Sequence, residues 1–144
     1  MTLFLVLGYG SDVIEVFESA VTRLLAHCGR DVPIEACGFL LGSPTRVVEV
    51  YPAVNEANSR VRYVAAPIDV LRADRRAREL GLEIVGVYHS HPTTEAYPSP
   101  TDVANAPDSS WIYVIVSYRN VPPELGAYRI VDETVSKVEL QIVD

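Results

Sequence analysis

Apolar and polar positions follow two periods along this chain. Leu3 to Leu7 is an unbroken apolar run, the length of a buried strand, and Gly8-Tyr9-Gly10 interrupts it. Val13, Ile14, Val16, Phe17, Ala20, Val21, Leu24, Leu25 and Cys28 then recur at helical spacing. They predict a helix capped by Ser11 or Asp12, with Glu15 in its first turn and Gly29 at its end. Glu35 to Leu41 and the valine-rich Arg46 to Val54 read as a hairpin about Gly42-Ser43-Pro44. A polar stretch, Asn55 to Arg60, leads to a short strand at Val61 to Ala65. Pro67 opens a second helix that runs to Leu80 and stops at Gly81. Leu82 to Tyr88 is a buried strand that delivers the chain into His89-Ser90-His91-Pro92. After a stretch rich in proline, serine, threonine and aspartate, three strands close the pattern: Trp111 to Ser117, Glu124 to Val131 and Thr134 to Val143, the last expected at an edge.

The pattern predicts one mixed α/β domain over residues 1–144, a central, mostly antiparallel sheet of about six strands flanked by two main helices. Composition agrees: 144 residues, 49% hydrophobic and 22% charged, suit a single core with no low-complexity segment. A net charge of -7 leaves no basic patch for nucleic acid. The densest cationic run, Arg72, Arg75, Arg76 and Arg78, is interleaved with Asp74 and Glu79, as on a solvated helix face. No run approaches the ~20 apolar residues of a membrane span, and no basic leader precedes Leu3, so the expectation is a cytoplasmic protein. Cys28 and Cys37 form no Cys-x-x-Cys pair and are expected to be free thiols. Gly8-Tyr9-Gly10 has Val13 where a dinucleotide fingerprint would need its third glycine.

Against this background the histidines stand out. His89 and His91 are two of only three in the chain, and they follow a strand. Side chains at i and i+2 leave an extended chain on one side, about 6.6 Å apart at the backbone, so two imidazoles can lean onto one metal. A catalytic zinc takes three protein ligands and keeps one place open, and Asp102, beyond a loop long enough to fold back, is a natural third. Water at such a metal needs a base, for which Glu35 at the head of a strand is the candidate. Ser99, three residues before Asp102, offers a hydroxyl for an oxyanion. Ser99-Pro100-Thr101-Asp102 is equally a helix start, which would itself fix the aspartate.

Glu35 with Cys37-Gly38 downstream, then His89-Ser90-His91-Pro92, then Ser99 and Asp102, resembles the motif of the JAMM, or MPN-plus, zinc metallopeptidases. The resemblance covers nearly the whole chain and comes nearest the small single-domain bacterial branch. It implies a cytidine-deaminase-like scaffold, one zinc ion on His89, His91 and Asp102, Glu35 as general acid/base and Ser99 as oxyanion helper. It also implies a substrate: the bond after the C-terminal Gly-Gly of a ubiquitin-like or sulfur-carrier protein, with release of cysteine as one version. An extended tail of that kind would pair strand-like beside the site, where only glycine lets the backbone pass closely.

Other residues receive lesser expectations. Glu95 and Tyr97, in the loop between the ligands, are candidate substrate contacts, and Asn55 to Arg60 is a candidate wall for the tail. Cys37 and Trp111 read as core, and His27 as a partner of the first helix's C-terminus. The edge strand would permit a homodimer. Inactive scaffolds of the family, the alternative, lose ligands that this chain keeps. A zinc deaminase would need His-x-Glu and Pro-Cys-x-x-Cys, which are absent.

Overall fold

A computed structural model describes residues 12–144. The expected strand at Leu3 to Leu7 lies outside the described residues. The elements run β1 (Val13–Phe17), α1 (Glu18–Asp31), β2 (Cys37–Ser43), β3 (Arg46–Ala53), α2 (Pro67–Glu79), β4 (Glu83–His91), α3 (Pro100–Ala104), β5 (Ile112–Ser117), β6 (Glu124–Val131) and β7 (Thr134–Val143).

The first expected helix is corrected at its start. Val13 to Phe17 is a strand, and the helix begins at Glu18. The segment carries apolar residues at both periods, and tertiary pairing decides between them. β1 runs parallel to β7 from Val13↔Glu139 to Phe17↔Val143, and parallel to β3 at Glu15↔Arg46. Asp12 does not cap a helix. Its carboxylate accepts from Arg129 Nε at 2.7 Å. Gly29 does not end the helix either, since α1 continues to Asp31 and stops before Pro33, which cannot continue it. The expected strand at Val61 to Ala65 reduces to a single bridge, Asn55↔Ala65.

The sheet is not an open one of six strands. Seven strands close into a barrel in the order β1-β3-β2-β4-β5-β6-β7, with β7 returning to β1. β7 is therefore paired on both sides and is not the edge strand expected to permit a homodimer. The turn before α2 and the one after it are as expected: Pro67 sits in the first turn, and Gly81 holds φ +71°, where a side chain would be strained.

Two apolar clusters pack against this ring. α1 covers Ile14, Leu40, Val50, Tyr88, Val114 and Val116. α2 lays Ala73 and Ala77 on Phe39, Leu41, Val87 and Tyr113. The expected layering, sheet between helices, holds. Gly38 lets the clusters share β2. A Cβ there would lie 2.3 Å from the buried ring of Tyr88. The Tyr88 hydroxyl in turn donates to His27 Nδ1 at 2.6 Å, and His27 Nε2 faces Asp31 at 3.3 Å. His27 thus bonds across to β4 rather than merely facing the helix dipole. No helix among the described residues is long and apolar enough to cross a membrane.

Candidate metal centre

β4 is longer than its apolar run suggests and includes both histidines. It sits between β2, where Cys37 pairs with His89, and β5, where His91 pairs with Ser117. Extended backbone puts His89 and His91 on one face and Tyr88 and Ser90 on the other. Ser90 ties the segment that carries Glu35 to the strand of His89 and His91. Its Oγ accepts from Ala36 N at 2.8 Å, and its own N–H donates to Ala36 O at 3.0 Å.

Asp102 reaches this face from α3. The segment forms a capping box: Ser99 Oγ accepts from Asp102 N at 3.1 Å, and Asp102 Oδ2 accepts from Ser99 N at 2.9 Å. The helix-start reading of these residues is realised, and it aims the carboxylate. His89 Nε2 lies 3.0 Å from Asp102 Oδ2, His91 Nε2 lies 3.1 Å from it, and the two nitrogens are 3.1 Å apart. Among the described residues this is the one group of three such side chains that could hold a metal ion. Ligands about 2.0–2.1 Å from a tetrahedral zinc are about 3.3 Å from each other, so the triangle fits the ion closely.

The tautomer fits as well. His91 Nδ1–H donates to Glu95 O at 2.8 Å, which leaves the Nε2 lone pair facing the centre. Electrostatics set the donors apart. Burial works to raise the Asp102 carboxyl, but the two imidazoles and the Ser99 amide outweigh it and hold it well below the ordinary carboxylate range. Burial lowers His89, with Asp102 opposing. Burial also works against a charged His91, yet the bonds to Asp102 and Glu95 win and raise it.

Glu35 is 3% exposed and stands just before β2. Its backbone is fixed from the β3–α2 connection, where Glu35 N donates to Ser59 O at 2.9 Å and Asn55 Nδ2 donates to Glu35 O at 2.9 Å. Its Oε1 is buried with no hydrogen-bond partner among the described residues. Burial pushes the carboxyl up to about 8, with His91 drawing it down and Asp102 raising it. A buried carboxyl oxygen left without a partner near a donor triangle is an expensive arrangement.

Two clefts meet at the donors. One, of about 690 Å³, is lined by His91, Glu95, Tyr97, Ser99 and Glu133. The other, of about 300 Å³, is lined by Phe39, Tyr63, Val87, Asp102 and Trp111. Glu95 and Tyr97 are thus brought to the site. Glu95 bonds to it through its carbonyl, while Tyr97 packs edge-on against Tyr128 with centroids 5.3 Å apart. Asn55 to Arg60 meets the site through the backbone of Glu35. Cys28 and Cys37 are free, buried thiols pushed up to about 12 by burial, so neither is a poised nucleophile. Trp111 packs half-buried on the second cluster and also borders the smaller cleft. Tyr63 was not legible in the sequence: its ring stacks on His89 with centroids 4.6 Å apart at 27°. No spacing rule links those positions, which meet because Asn55 folds the intervening loop.

The sequence matches the family model described as prokaryotic homologs of the JAB domain over residues 17–131. It is 36% identical over 135 residues to the CysO-cysteine peptidase of Mycobacterium tuberculosis, covering 92% of both chains. It is 34% identical over 100 residues to a probable TtuB-protein conjugate cleaving protease of Thermus thermophilus, 69% of this chain and 67% of that one. A solution structure of a protein from Desulfitobacterium hafniense shares the fold with a TM-score of 0.84 at 31% identity, over 91% of this chain and 93% of that one.

Proposed function

The chain belongs to the family of prokaryotic homologs of the JAB domain, and on that premise we propose that it is a zinc metallopeptidase. Its reaction is hydrolysis of the amide or isopeptide bond after the C-terminal Gly-Gly of a ubiquitin-like or sulfur-carrier protein. One observation carries this reading: His89 Nε2, His91 Nε2 and Asp102 Oδ2 lie within 3.1 Å of one another, near a buried glutamate whose Oε1 has no hydrogen-bond partner among the described residues. The relatives support the substrate class, one being a CysO-cysteine peptidase and another a probable TtuB-protein conjugate cleaving protease. A non-catalytic scaffold would have no use for the donor triangle or for Glu35.

His89, His91 and Asp102 would hold one zinc ion per chain, and when bound the ion supplies Lewis acidity, making water a stronger acid and a carbonyl a better electrophile. Glu35 does the proton work. Its carboxylate takes a proton from the attacking water and passes it to the departing nitrogen, so the amide yields a carboxylic acid and a free amine. Ser99 Oγ already accepts from Asp102 N, which leaves its O–H to donate to the oxygen that gains charge. The two clefts, one bordered by His91 and the other by Asp102, would take the tail and the leaving group, and Glu95 and Tyr97 line the larger. Two successive glycines let the tail's backbone pass the donors without a Cβ in the way. The two free thiols support a reducing compartment, the cytoplasm.

The test is incubation with a sulfur-carrier protein bearing cysteine on its C-terminal glycine, read by mass spectrometry, with Glu35→Gln as control. Release of cysteine by the native chain alone is expected. Zinc binding at one ion per chain with no release would reject the cysteine leaving group. Absence of zinc binding would reject the centre.

A further inference from the structure

The two imidazoles are oriented by different means. His91 follows the usual rule for a metal-binding histidine: its second nitrogen donates to a backbone carbonyl, that of Glu95. His89 breaks it. Its Nδ1 is buried and has no hydrogen-bond partner among the described residues. What fixes its ring is a face. The Tyr63 phenol lies against it, nearly parallel at 27°, with centroids 4.6 Å apart. Flat aromatic contact restricts rotation about the ring bond, as an N–H···O bond does at His91.

Tyr63 is itself held. It sits in the loop between β3 and α2, and one side chain organises that loop. Asn55 Nδ2 donates to Arg62 O at 3.0 Å and to Glu35 O at 2.9 Å, while Asn55 Oδ1 accepts from Ala57 N at 3.0 Å and Val64 N at 2.9 Å. The bonds bracket Tyr63 on both sides in sequence and reach the base's backbone. Asn55 therefore fixes two parts of the centre at once, the ring over His89 and the position of Glu35.

We infer that Tyr63 is a positioning residue for His89, replacing by stacking the hydrogen bond that this histidine lacks, and that Asn55 sets Tyr63 in place. The role rests on the reading of His89 as a zinc ligand. Tyr63 supplies a planar face and not a proton, so Tyr63→Phe keeps the function and Tyr63→Leu, apolar but not flat, loses it.

Two measurements test this, both at a temperature where each variant is fully folded. Zinc affinity is read by competition with a chromophoric chelator. The ring-nitrogen NMR signals of the histidines are read in the metal-free protein, with His91 as internal reference. Tyr63→Phe should bind zinc within about twofold of the native chain. Tyr63→Leu should lose about 10- to 100-fold, the cost typical of removing such support. In Tyr63→Leu the His89 signals should broaden or split between tautomers while those of His91 stay sharp. Asn55→Ala, which leaves Tyr63 intact, should weaken zinc binding in the same direction. Native zinc affinity and unchanged His89 signals in Tyr63→Leu would overturn the inference. If the native chain binds no zinc but the His89 signals still respond to Tyr63→Leu, the zinc reading fails and the positioning role stands.

Discussion

Replacing Glu35 with glutamine should make the metal-free protein more stable, and increasingly so as pH rises. Burial raises the Glu35 carboxyl from its ordinary 4.5 to about 8. The native state therefore binds this proton more tightly than the unfolded chain does. The contribution to stability is complete below pH 4.5 and is lost as pH climbs through 8. At about 1.4 kcal/mol per pH unit, the native chain gives up about 3 kcal/mol between pH 4.5 and pH 7, before screening. Water in the adjoining clefts screens part of that, leaving about 2 kcal/mol. Glutamine has nearly the same shape and does not titrate. Urea unfolding of both proteins at pH 5, 6, 7 and 8, with zinc removed, should show the variant gaining on the native chain by about 2 kcal/mol at pH 7. The gain should nearly vanish when zinc is bound, because a dication beside the carboxylate favours its ionised form. A stability difference independent of pH between 5 and 8 would refute the argument, since it would mean that Glu35 is hydrated or paired in the folded protein.

Asp102→Asn and His91→Ala should each abolish stoichiometric zinc binding, measured by equilibrium dialysis with metal analysis, while far-ultraviolet circular dichroism stays native. Zinc should raise the thermal midpoint of the native chain and not of these variants, in keeping with a ligand that binds only the folded state. Ser99→Ala removes an N-cap and should cost about 1 kcal/mol in urea. If its hydroxyl also serves the oxyanion, kcat should fall about 100-fold or more, whereas a purely structural cap would leave kcat of the folded protein nearly intact. Gly38→Ala places a Cβ 2.3 Å from the Tyr88 ring. It should cost about 1–3 kcal/mol in urea unfolding by displacing that ring from His27.

What the sequence disclosed depended on whether a feature was local. β6 and β7 have the bounds expected for them, Glu124 to Val131 and Thr134 to Val143. That His89, His91 and Asp102 would converge was legible from local features: two histidines at i and i+2 on extended chain, and an aspartate held by a helix start within reach. Val13 to Phe17 was misread because those residues satisfy both periods, and the strand's partners, Arg46 and Glu139 among them, lie far along the chain. Closure of the sheet was hidden for the same reason. Tyr63 carries no signal of its own, since a tyrosine in the run Val61 to Ala65 reads only as part of a short strand until Asn55 has folded that loop over His89.

Closure of the ring also bears on how the chain folds. The pairing of β1 with β7 joins the first and last described strands, so it spans nearly the whole chain. Contacts of such long range pay the largest loop entropy and form late. Until they form, β1 and β7 each present an open row of amides and carbonyls, a template for a second molecule. The same seam that leaves the described sheet without edges is thus the one whose delay would expose the chain to aggregation, and dilution or a chaperone should matter most at that step.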